Sequence, residues 1–447
     1  MPAHDHPIQN RDLVLFGFQP WETQTGSNLI DMAYELSKYN RVLYINRALD
    51  RITIWRQRKN KQLQTRLEDI RKKRNSITKI EEQLWVLNPG TVLESINWIP
   101  SAWLHDELNL INNERLAEEI NKGIKALGFS QVILINDNDF IRGRYLKELV
   151  ECEDYIFYLR DYLLGIKYFQ RHGYRLEAET IHQSTLVAAN TAYLTAYAGK
   201  WNAASFDIGQ GFRIPPEELV ADNWVPPDIR SIEAPIIGYA GYISAKRIDT
   251  EIIVTLAKEL PECNIVLVGD IDPAFPVAAL TRFHNIYFLG VKPFHQLKSY
   301  LRHFDVCINP QLVNDITRGN YPRKIDEYLI MRKPVVATRT EAMALFEAHT
   351  HLCTTTPEWV SIIREIIDHP DEQGLTGEEN KRMLFALRHT WRSSMERLGA
   401  AYDIVKKQSD GKEIDKPRKQ ISFYLRILAI YCLIAYFLFI YIKFMFF

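Results

Sequence analysis

The chain has 447 residues, with 55 Lys and Arg balanced by 55 Asp and Glu, so its formal net charge at pH 7 is zero. That length exceeds a single ordinary core and predicts two packed domains. A zero net charge excludes a global field that attracts nucleic acid. The five cysteines are scattered without a CxxC pair, which excludes a disulfide framework or a zinc site and favours a reducing compartment.

The first half of the sequence alternates short apolar runs with amphipathic stretches, which is typical of a parallel sheet with crossover helices. The runs are LVLFGF at 13–18, VLYIN at 42–46, VILIN at 132–136 and YIFYL at 155–159. The N-terminus lacks a charged region followed by a long apolar run, so no cleaved secretion signal is predicted and the bulk of the chain is expected in the cytoplasm.

The segment 51–79 interrupts this rhythm with many Lys and Arg against Glu68 and Asp69. One interpretation is a solvated helical insertion, and another is a surface that meets anionic lipid or a phosphate-bearing acceptor. Nucleic acid is disfavoured, because Trp55 is the sole aromatic residue among these charges and no nucleic-acid motif is present.

The rhythm restarts after a proline-bearing segment at 212–234, which we interpret as a hinge. The apolar runs that follow are PIIGYAG at 235–241, NIVLVGD at 264–270, NIYFLG at 285–290, DVCINP at 305–310 and PVVAT at 334–338. The sequence therefore predicts an α/β protein with two doubly wound Rossmann-like domains, at 1–211 and 212–377. A closing helix is expected over 378–408.

The C-terminal tail is predicted to hold the protein to a membrane. A basic linker at 409–420 precedes the apolar segment 421–447, in which 427–442 is uninterrupted by charge. With Arg426 snorkelling toward the headgroups, the segment approaches the roughly 20 residues that span a bilayer. The basic linker favours a single-pass anchor that begins on the cytoplasmic side. An interfacial helix and a buried soluble helix are the alternatives.

The most informative motif is RGNYPRKIDEYLIMRKPVVAT at 318–338. Asn320 as a cap and Pro322 near the first turn predict a helix whose N-terminus suits a diphosphate. Lys324 adds a full charge there. Glu327, three residues later, could accept hydrogen bonds from a ribose diol, although a plain surface Lys/Glu pair has the same spacing.

The stretch EYLIMRKPVV within this motif resembles the donor-binding signature of glycosyltransferase family 4, and its P-x-K-x-x-E-Y-L form is similar to bacterial teichuronic acid glycosyltransferases. The resemblance implies a GT-B fold, in which two Rossmann-like domains face a cleft and the second binds a nucleotide-diphosphate sugar. It implies that Glu327 binds the nucleotide ribose and adds Tyr328 to the donor-side candidates. DVCINP and the tail RHTWRSSMERL at 388–398 resemble the same family.

A second motif, GYAGYISAKRIDTEIIVTLAKEL at 238–260, resembles the family's glycine-rich strand end. Gly241 is kept, Tyr242 stands where relatives carry an arginine, and Lys246 or Arg247 occupies the position of the diphosphate-binding lysine. Arg318, Arg247 or Lys324 could supply the missing charge.

The family also implies a glutamate eight residues before Glu327, but this position is Gly319. The donor-sugar contact expected there could come instead from Asn314, from Asp315 or from the backbone of the loop.

Candidates in the first domain are Gly26 and Asp161 for the cleft, and Arg160 beside them on the acceptor side. Asp161 could equally cap a helix. No metal or other cofactor is expected: the Asp pairs at 137/139 and 270/272 each follow a strand, where a turn prefers Asp. His182 is interpreted as structural.

We therefore expect a hexosyltransferase with Lys324, Arg247 and Asp161 as its catalytic candidates. It would move a sugar, with retention by family resemblance, to a glycan or polyprenyl-linked acceptor in cell-surface polysaccharide assembly. The alternatives are a nucleotide-sugar epimerase of the same fold and a membrane-tethered protein that binds the sugar nucleotide without turnover. Tyr242 and Gly319 favour the second alternative.

Overall fold

The computed structural model describes residues 7–23, 27–72, 76–212, 224–369 and 377–409, together with Cys432 and Tyr436. Gly26, residues 213–223 of the predicted hinge, most of the basic linker and the rest of the apolar tail lie outside these residues. Among the helices that are described, none combines the length and the apolar character needed to cross a bilayer.

The first domain is built on a twisted sheet flanked by helices. Its strands are β1 (Asp12–Gly17), β2 (Arg41–Ile45), β3 (Leu49–Asp50), β4 (Ile77–Glu81), β5 (Leu84–Leu87), β6 (Val92–Leu93), β7 (Val132–Asp137), β8 (Asp154–Leu159), β9 (Leu186–Ala189) and β10 (Ser205–Asp207). Its helices are α1 (Asn28–Ser37), α2 (Arg51–Arg56), α3 (Lys61–Arg71), α4 (Ala102–Ala126), α5 (Leu146–Leu149), α6 (Lys167–Gln183) and α7 (Ala192–Ala198). The main sheet has the order β10-β9-β8-β7-β1-β2-β5-β4, and β4 is antiparallel to β5.

The second domain repeats this plan with a smaller sheet. Its strands are β11 (Ile236–Ala240), β12 (Asn264–Val268), β13 (Ile286–Gly290), β14 (Val306–Asn309), β15 (Val335–Thr338) and β16 (His351–Cys353). The helices are α8 (Pro227–Arg230), α9 (Thr250–Glu259), α10 (Val277–Leu280), α11 (Phe294–Arg302), α12 (Lys324–Ile330), α13 (Thr356–Asp368), α14 (Glu378–Ala386) and α15 (Trp391–Ser409). The order β13-β12-β11-β14-β15-β16 is parallel throughout.

The central strands are buried on both faces, which explains why they read as continuous apolar runs. Every residue of β1, β7 and β8 is buried. Parallel strands with helices on both sides have this pattern, since neither face of the sheet meets water. The predicted α/β architecture with two Rossmann-like domains is confirmed.

Strand order reverses once in each sheet, and the point of reversal indicates where a ligand site is expected. In the first sheet the reversal lies between β1 and β7, and in the second between β11 and β14. In doubly wound sheets, a crevice that binds ligands forms outside the carboxyl ends of the strands at this point. The loops that follow β1, β7, β11 and β14, and those of the strands next to them such as β8, are therefore the ones to search for functional residues.

The prediction of one closing helix was wrong, because the chain breaks between α14 and α15. Thr390 pairs through its backbone with Phe212, and its hydroxyl accepts a hydrogen bond from the backbone of Ser393 to begin the next helix. Helix α15 then returns to the first domain, where the Tyr402 hydroxyl donates to Asp154 at 2.5 Å. Consequently, α14 packs on the second domain and α15 on the first.

Candidate functional site

Lys324, the first residue of α12, lies against the end of β11. Its Nζ donates to the Tyr239 hydroxyl at 2.5 Å and stands 4.0 Å from the centroid of that ring. Gly241 makes room for it, since a Cβ at Gly241 would lie 3.1 Å from Nζ, and the φ of Gly241 is +145°. Burial, followed by repulsion from Arg247, lowers the pKa of Lys324 to about 7. The lysine is therefore a buried cationic group without a carboxylate at hydrogen-bond distance among the described residues.

Arg247, rather than its neighbour Lys246, faces this lysine. Lys246 is exposed, and its backbone carbonyl accepts from Asn314 at 3.0 Å. Arg247 is half-buried and its charge acts on Lys324. Of the two alternatives that the sequence left open, Arg247 is the one whose charge acts on Lys324, the lysine that lies beside Gly241.

Asn320 joins the two domains and does not cap α12, so the predicted cap was wrong. With its amide nitrogen toward the first domain, Asn320 donates to Asp161 Oδ1 at 2.9 Å, and its oxygen accepts from Arg247 Nη1 at 3.2 Å. Helix α12 begins after Arg323 without a side-chain cap. The amide is drawn away from the helix because it has a charged partner on each side of the cleft.

On the first-domain side, Asp161 belongs to a short chain of charges at the ends of β7 and β8. Arg160 donates through Nη1 to Asp161 Oδ2 at 2.5 Å and through Nε to Asp137 Oδ1 at 2.6 Å. Asp137 is fully buried, and burial raises the pKa of its carboxyl. Arg160 and Asp161, both predicted, are thereby placed on the cleft, directly across from Arg247.

Glu327 is covered by an arginine that the sequence reasoning did not single out. The Glu327 side chain is 8% exposed, and its Oε1 lies 3.5 Å from Arg323 Nε. Arg323 Nη1 also lies 3.3 Å from Asn28 Oδ1 and 3.5 Å from Asp31 Oδ2 in α1. Burial raises the pKa of Glu327, and Arg323 and Lys324 oppose that rise. A ligand that reaches this carboxylate must therefore displace Arg323 or open the cleft.

Gly319 lies at a contact between the two domains that leaves no space for a side chain. A Cβ there would lie 2.3 Å from Cδ1 of Tyr193, and the Thr191 hydroxyl donates to the Gly319 carbonyl at 3.3 Å. Gly165 makes the reciprocal contact, since its Cβ would lie 2.9 Å from the backbone of Asp315. The glutamate that the resemblance expects at Gly319 has no room in this arrangement of the domains.

Two further donor-side candidates, Arg318 and Tyr328, form no side-chain hydrogen bond or ion pair with Lys324 or Glu327 among the described residues. Arg318 pairs at the surface with Glu341, 3.6 Å away, with its side chain 43% exposed. Tyr328 is fully buried, and its hydroxyl accepts from the Ala240 backbone nitrogen at 2.9 Å. Tyr328 therefore fixes α12 to β11, and its burial corrects the expectation that it touches the donor.

Beneath α12 lies a buried polar network that the sequence analysis missed. Asp326 is fully buried and accepts from the Tyr321 hydroxyl at 2.6 Å, while His389 Nδ1 lies 2.7 Å from its other oxygen. The signal in the sequence was an acidic residue on the apolar face of a helix. This network ties α12, which presents Lys324 and Glu327, to the chain just before α15.

The turn after β12 uses its aspartates locally. Asp272 accepts from the Ser244 hydroxyl at 3.1 Å and from the Ala274 backbone at 3.0 Å. Asp270 accepts from the Ile271 backbone at 3.0 Å. These contacts are those of turn residues, and the expectation that no metal is needed stays a prediction.

Residues 234–369, which contain Lys324, Arg247 and Glu327, match the model of a family described as glycosyl transferases group 1. This region is a group 1 glycosyltransferase domain. Its match and the fold together make the chain a glycosyltransferase with the GT-B fold. The narrower resemblance to family 4 and to teichuronic acid enzymes stays a prediction. No curated protein matches the chain.

Several solved structures share the fold over nearly their whole length. Anabaena HepE in complex with UDP and glucose is 17% identical, with a TM-score of 0.57, over 89% of this chain and 99% of HepE. Sucrose-phosphate synthase of Thermosynechococcus elongatus is 14% identical, with a TM-score of 0.59, over 90% and 100%. A Burkholderia vietnamiensis trehalose-phosphate synthase (UDP-forming) is 9% identical, with a TM-score of 0.62, over 92% and 100%. These likenesses show that the chain shares the fold of these structures.

Proposed function

We propose that this transferase moves a hexose-like unit from a nucleotide-diphosphate sugar to an acceptor held at a membrane, in the assembly of a cell-surface polysaccharide. The observation that carries the donor half is Lys324, which lies beside Gly241 at the carboxyl edge of the second sheet, where the charge of Arg247 acts on it. Two basic groups at a switch point suit a diphosphate, whose charge favours the protonated form of the lysine. We assign the ribose hydroxyls to Glu327, one turn along α12, which a donor would reach by displacing Arg323 or opening the cleft.

The chemistry needs positioning and charge more than a protein base. The bond from the sugar C1 to the diphosphate oxygen breaks, and C1 bonds to the acceptor oxygen on the same face, which retains the configuration. The acceptor proton passes to the departing diphosphate. Lys324 and Arg247 stabilise the negative charge that develops on this leaving group, and Asp161, reached through Asn320, orients Arg247.

The membrane half of the proposal is supported by the outer face of the first domain. Trp55, Trp98 and Trp103 of this domain are each at least 41% exposed, as indole rings at a lipid interface would be. Tyr436, from the apolar tail, stacks on Trp98 at 5.2 Å and donates to the Ser95 carbonyl at 3.2 Å. Tyr436 thus contacts the first domain beside Trp98.

The test is release of nucleoside diphosphate by detergent-purified protein from a panel of nucleotide sugars, with and without membrane lipid extract. We expect one donor to respond and its release to depend on the extract. Glu327→Gln should raise the KM for that donor about 10- to 100-fold, since a charge-assisted hydrogen bond is worth about 1.5 to 3 kcal/mol. Glu341→Gln, which alters an exposed carboxylate of the same domain, is the matched control.

Three other outcomes would contradict parts of this proposal. A donor that binds without turnover would favour the tethered binding protein, with Tyr242 and Gly319 marking an inactive site. Equal turnover with a soluble acceptor, unchanged by deletion of 421–447, would remove the membrane-bound acceptor. A KM in Glu327→Gln equal to that of the wild type would remove the assigned ribose contact.

A further inference from the structure

The first domain contains a large cavity between its sheet and the basic insertion. The cavity has a volume of about 860 Å³ and is walled by the loop after β2, by α2 and by α3. A second cavity of about 260 Å³ adjoins it and shares Arg47, Ala48 and Asp50 in its wall. Together they have the size of a site for a sugar phosphate or a lipid headgroup.

Two arginines, Arg47 and Arg66, line this cavity and have hydrogen-bond donors without an acceptor among the described residues. Arg66 donates through Nη2 to the Arg47 carbonyl, while its buried Nε has no partner among the described residues. Arg47 Nη2 lies 3.8 Å from Oδ2 of Asp50, which is beyond hydrogen-bond distance. A guanidinium offers five donors in a planar fork. The buried Nε of Arg66 is unused within the described residues, and the side chain of Arg47 is 43% exposed, so its donors are accessible to a ligand from solvent.

Four acids line the larger cavity, and two of them, Asp50 and Glu22, accept hydrogen bonds from neutral groups. Asp50 accepts from the backbone and hydroxyl of Thr53, at 3.0 and 2.6 Å, and from the hydroxyl of Ser95 at 2.8 Å. Glu22 accepts from the amide of Asn46 at 3.0 Å. The wall of the larger cavity also carries Asp69, Glu119 and Lys122, so its acids outnumber its cations. The case for an anion therefore rests on the donors of Arg47 and Arg66 that lie close together.

The cations also repel one another. Burial, and then the charge of Arg142, lowers the pKa of Arg47. Burial lowers the pKa of Arg66 as well, and Arg47 adds to the effect while Glu22 opposes it. Arg142 itself is held by Asp139, with Nε 2.6 Å from Oδ2. An anion between Arg47 and Arg66 would relieve this repulsion and occupy the free donors.

The cavity opens at the same sheet edge as the cleft. Arg47 follows β2 and Asp137 ends β7, and these strands flank β1. Because neighbouring strands are about 4.8 Å apart, the two positions lie on the order of 10 Å from each other along the edge. A molecule anchored at Arg47 could thus extend a hydroxyl toward Asp161 and the donor.

We propose that Arg47 and Arg66 bind the phosphate or diphosphate group of the acceptor, so that the basic insertion is an acceptor-recognition element. This inference rests on the proposed function for the identity of the ligand as an acceptor. The anion site itself stands on the free donors and the cavity. The same chemistry is offered by a soluble sugar phosphate and by a lipid-linked diphosphate.

Binding of inorganic pyrophosphate, measured by calorimetry in a Lys324→Gln background that weakens the donor side, tests the site. We expect Arg66→Gln and Arg47→Gln each to weaken pyrophosphate binding at least about tenfold, the usual effect of losing a charge-assisted contact. Lys61→Gln, an exposed cation on the same helix, should leave it unchanged. Unaltered binding by both arginine variants would overturn the proposal, and thermal unfolding of each variant verifies that it is folded.

Two further arms distinguish the sources of the anion. Glucose 6-phosphate represents soluble acceptors, and phosphatidylcholine vesicles with or without polyprenyl diphosphate represent lipid-linked ones. Loss of binding to one of these probes in Arg66→Gln identifies the source, whereas equal binding of every probe to the wild type and both variants would overturn the site. No turnover is measured, so a failure of the donor panel leaves this result intact.

Discussion

Replacing Lys324 with glutamine is expected to lower kcat for sugar transfer by about 100- to 1000-fold, the usual cost of removing one group that stabilises transition-state charge. Lys324 Nζ lies beside Gly241 and is subject to the charge of Arg247, at the place where we propose that the leaving diphosphate binds. Steady-state release of nucleoside diphosphate measures the change. The matched control is Lys246→Gln, whose side chain is exposed and should leave kcat near the wild-type value.

We do not expect a loss of stability in Lys324→Gln to account for its loss of activity. The pKa of Lys324 in the folded protein, about 7, lies below its ordinary value of 10.5. The unfolded chain therefore binds the proton more tightly, and Lys324 costs stability at pH values below 10.5, with the full cost reached below pH 7. Lys324→Gln should consequently be at least as stable as the wild type near neutral pH. A variant that is stable and fully active would refute the catalytic assignment.

Replacing Asp326 with alanine is expected to lower the free energy of unfolding by about 3 to 5 kcal/mol, as when one partner of a buried charged network is removed. The change leaves the Tyr321 hydroxyl and His389 Nδ1 without the oxygens that they contact at 2.6 and 2.7 Å. Since Asp326 lies on α12 between Lys324 and Glu327, donor binding should weaken as well. Urea unfolding monitored by circular dichroism gives the first quantity.

The control for this second prediction is an acid of the same domain at the surface. Glu347 pairs with Arg339 at 2.7 Å, but its side chain is 57% exposed. Exposed pairs contribute about 0 to 1 kcal/mol, so Glu347→Ala should have little effect. Equal losses for the two variants would show that the buried network has no special role in holding α12.

Most of the architecture was readable because buried parallel strands leave a plain signature. The runs at 13–18, 132–136 and 155–159 each became a central strand within one or two residues of its predicted bounds. Shorter edge strands such as β4 and β10 were missed, since their exposed or half-buried residues lack that signature. The break before α15 was also missed, because it depends on a pairing with Phe212 far away in sequence.

The sequence predicted the site residues whose chemistry points to one role. It missed the roles of residues whose partners come from the other domain. Lys324 and Glu327 followed from their spacing and from resemblance. Asn320 was given the local task of a cap, although its partners are Asp161 and Arg247. The absent side chain at Gly319 is explained by the ring of Tyr193, more than a hundred residues earlier. Local patterns cannot reveal contacts that only domain docking creates.

The most direct test of the central claim, that Lys324 binds the donor diphosphate, is proton uptake when a nucleoside diphosphate binds at roughly pH 8, measured by calorimetry in buffers of different ionisation enthalpy. Lys324, with its pKa of about 7, is mostly neutral there in the free protein. A bound diphosphate raises that pKa, so the wild type should take up a large fraction of one proton and Lys324→Gln should take up none. Equal uptake by both proteins, or none by the wild type despite binding, would contradict the account.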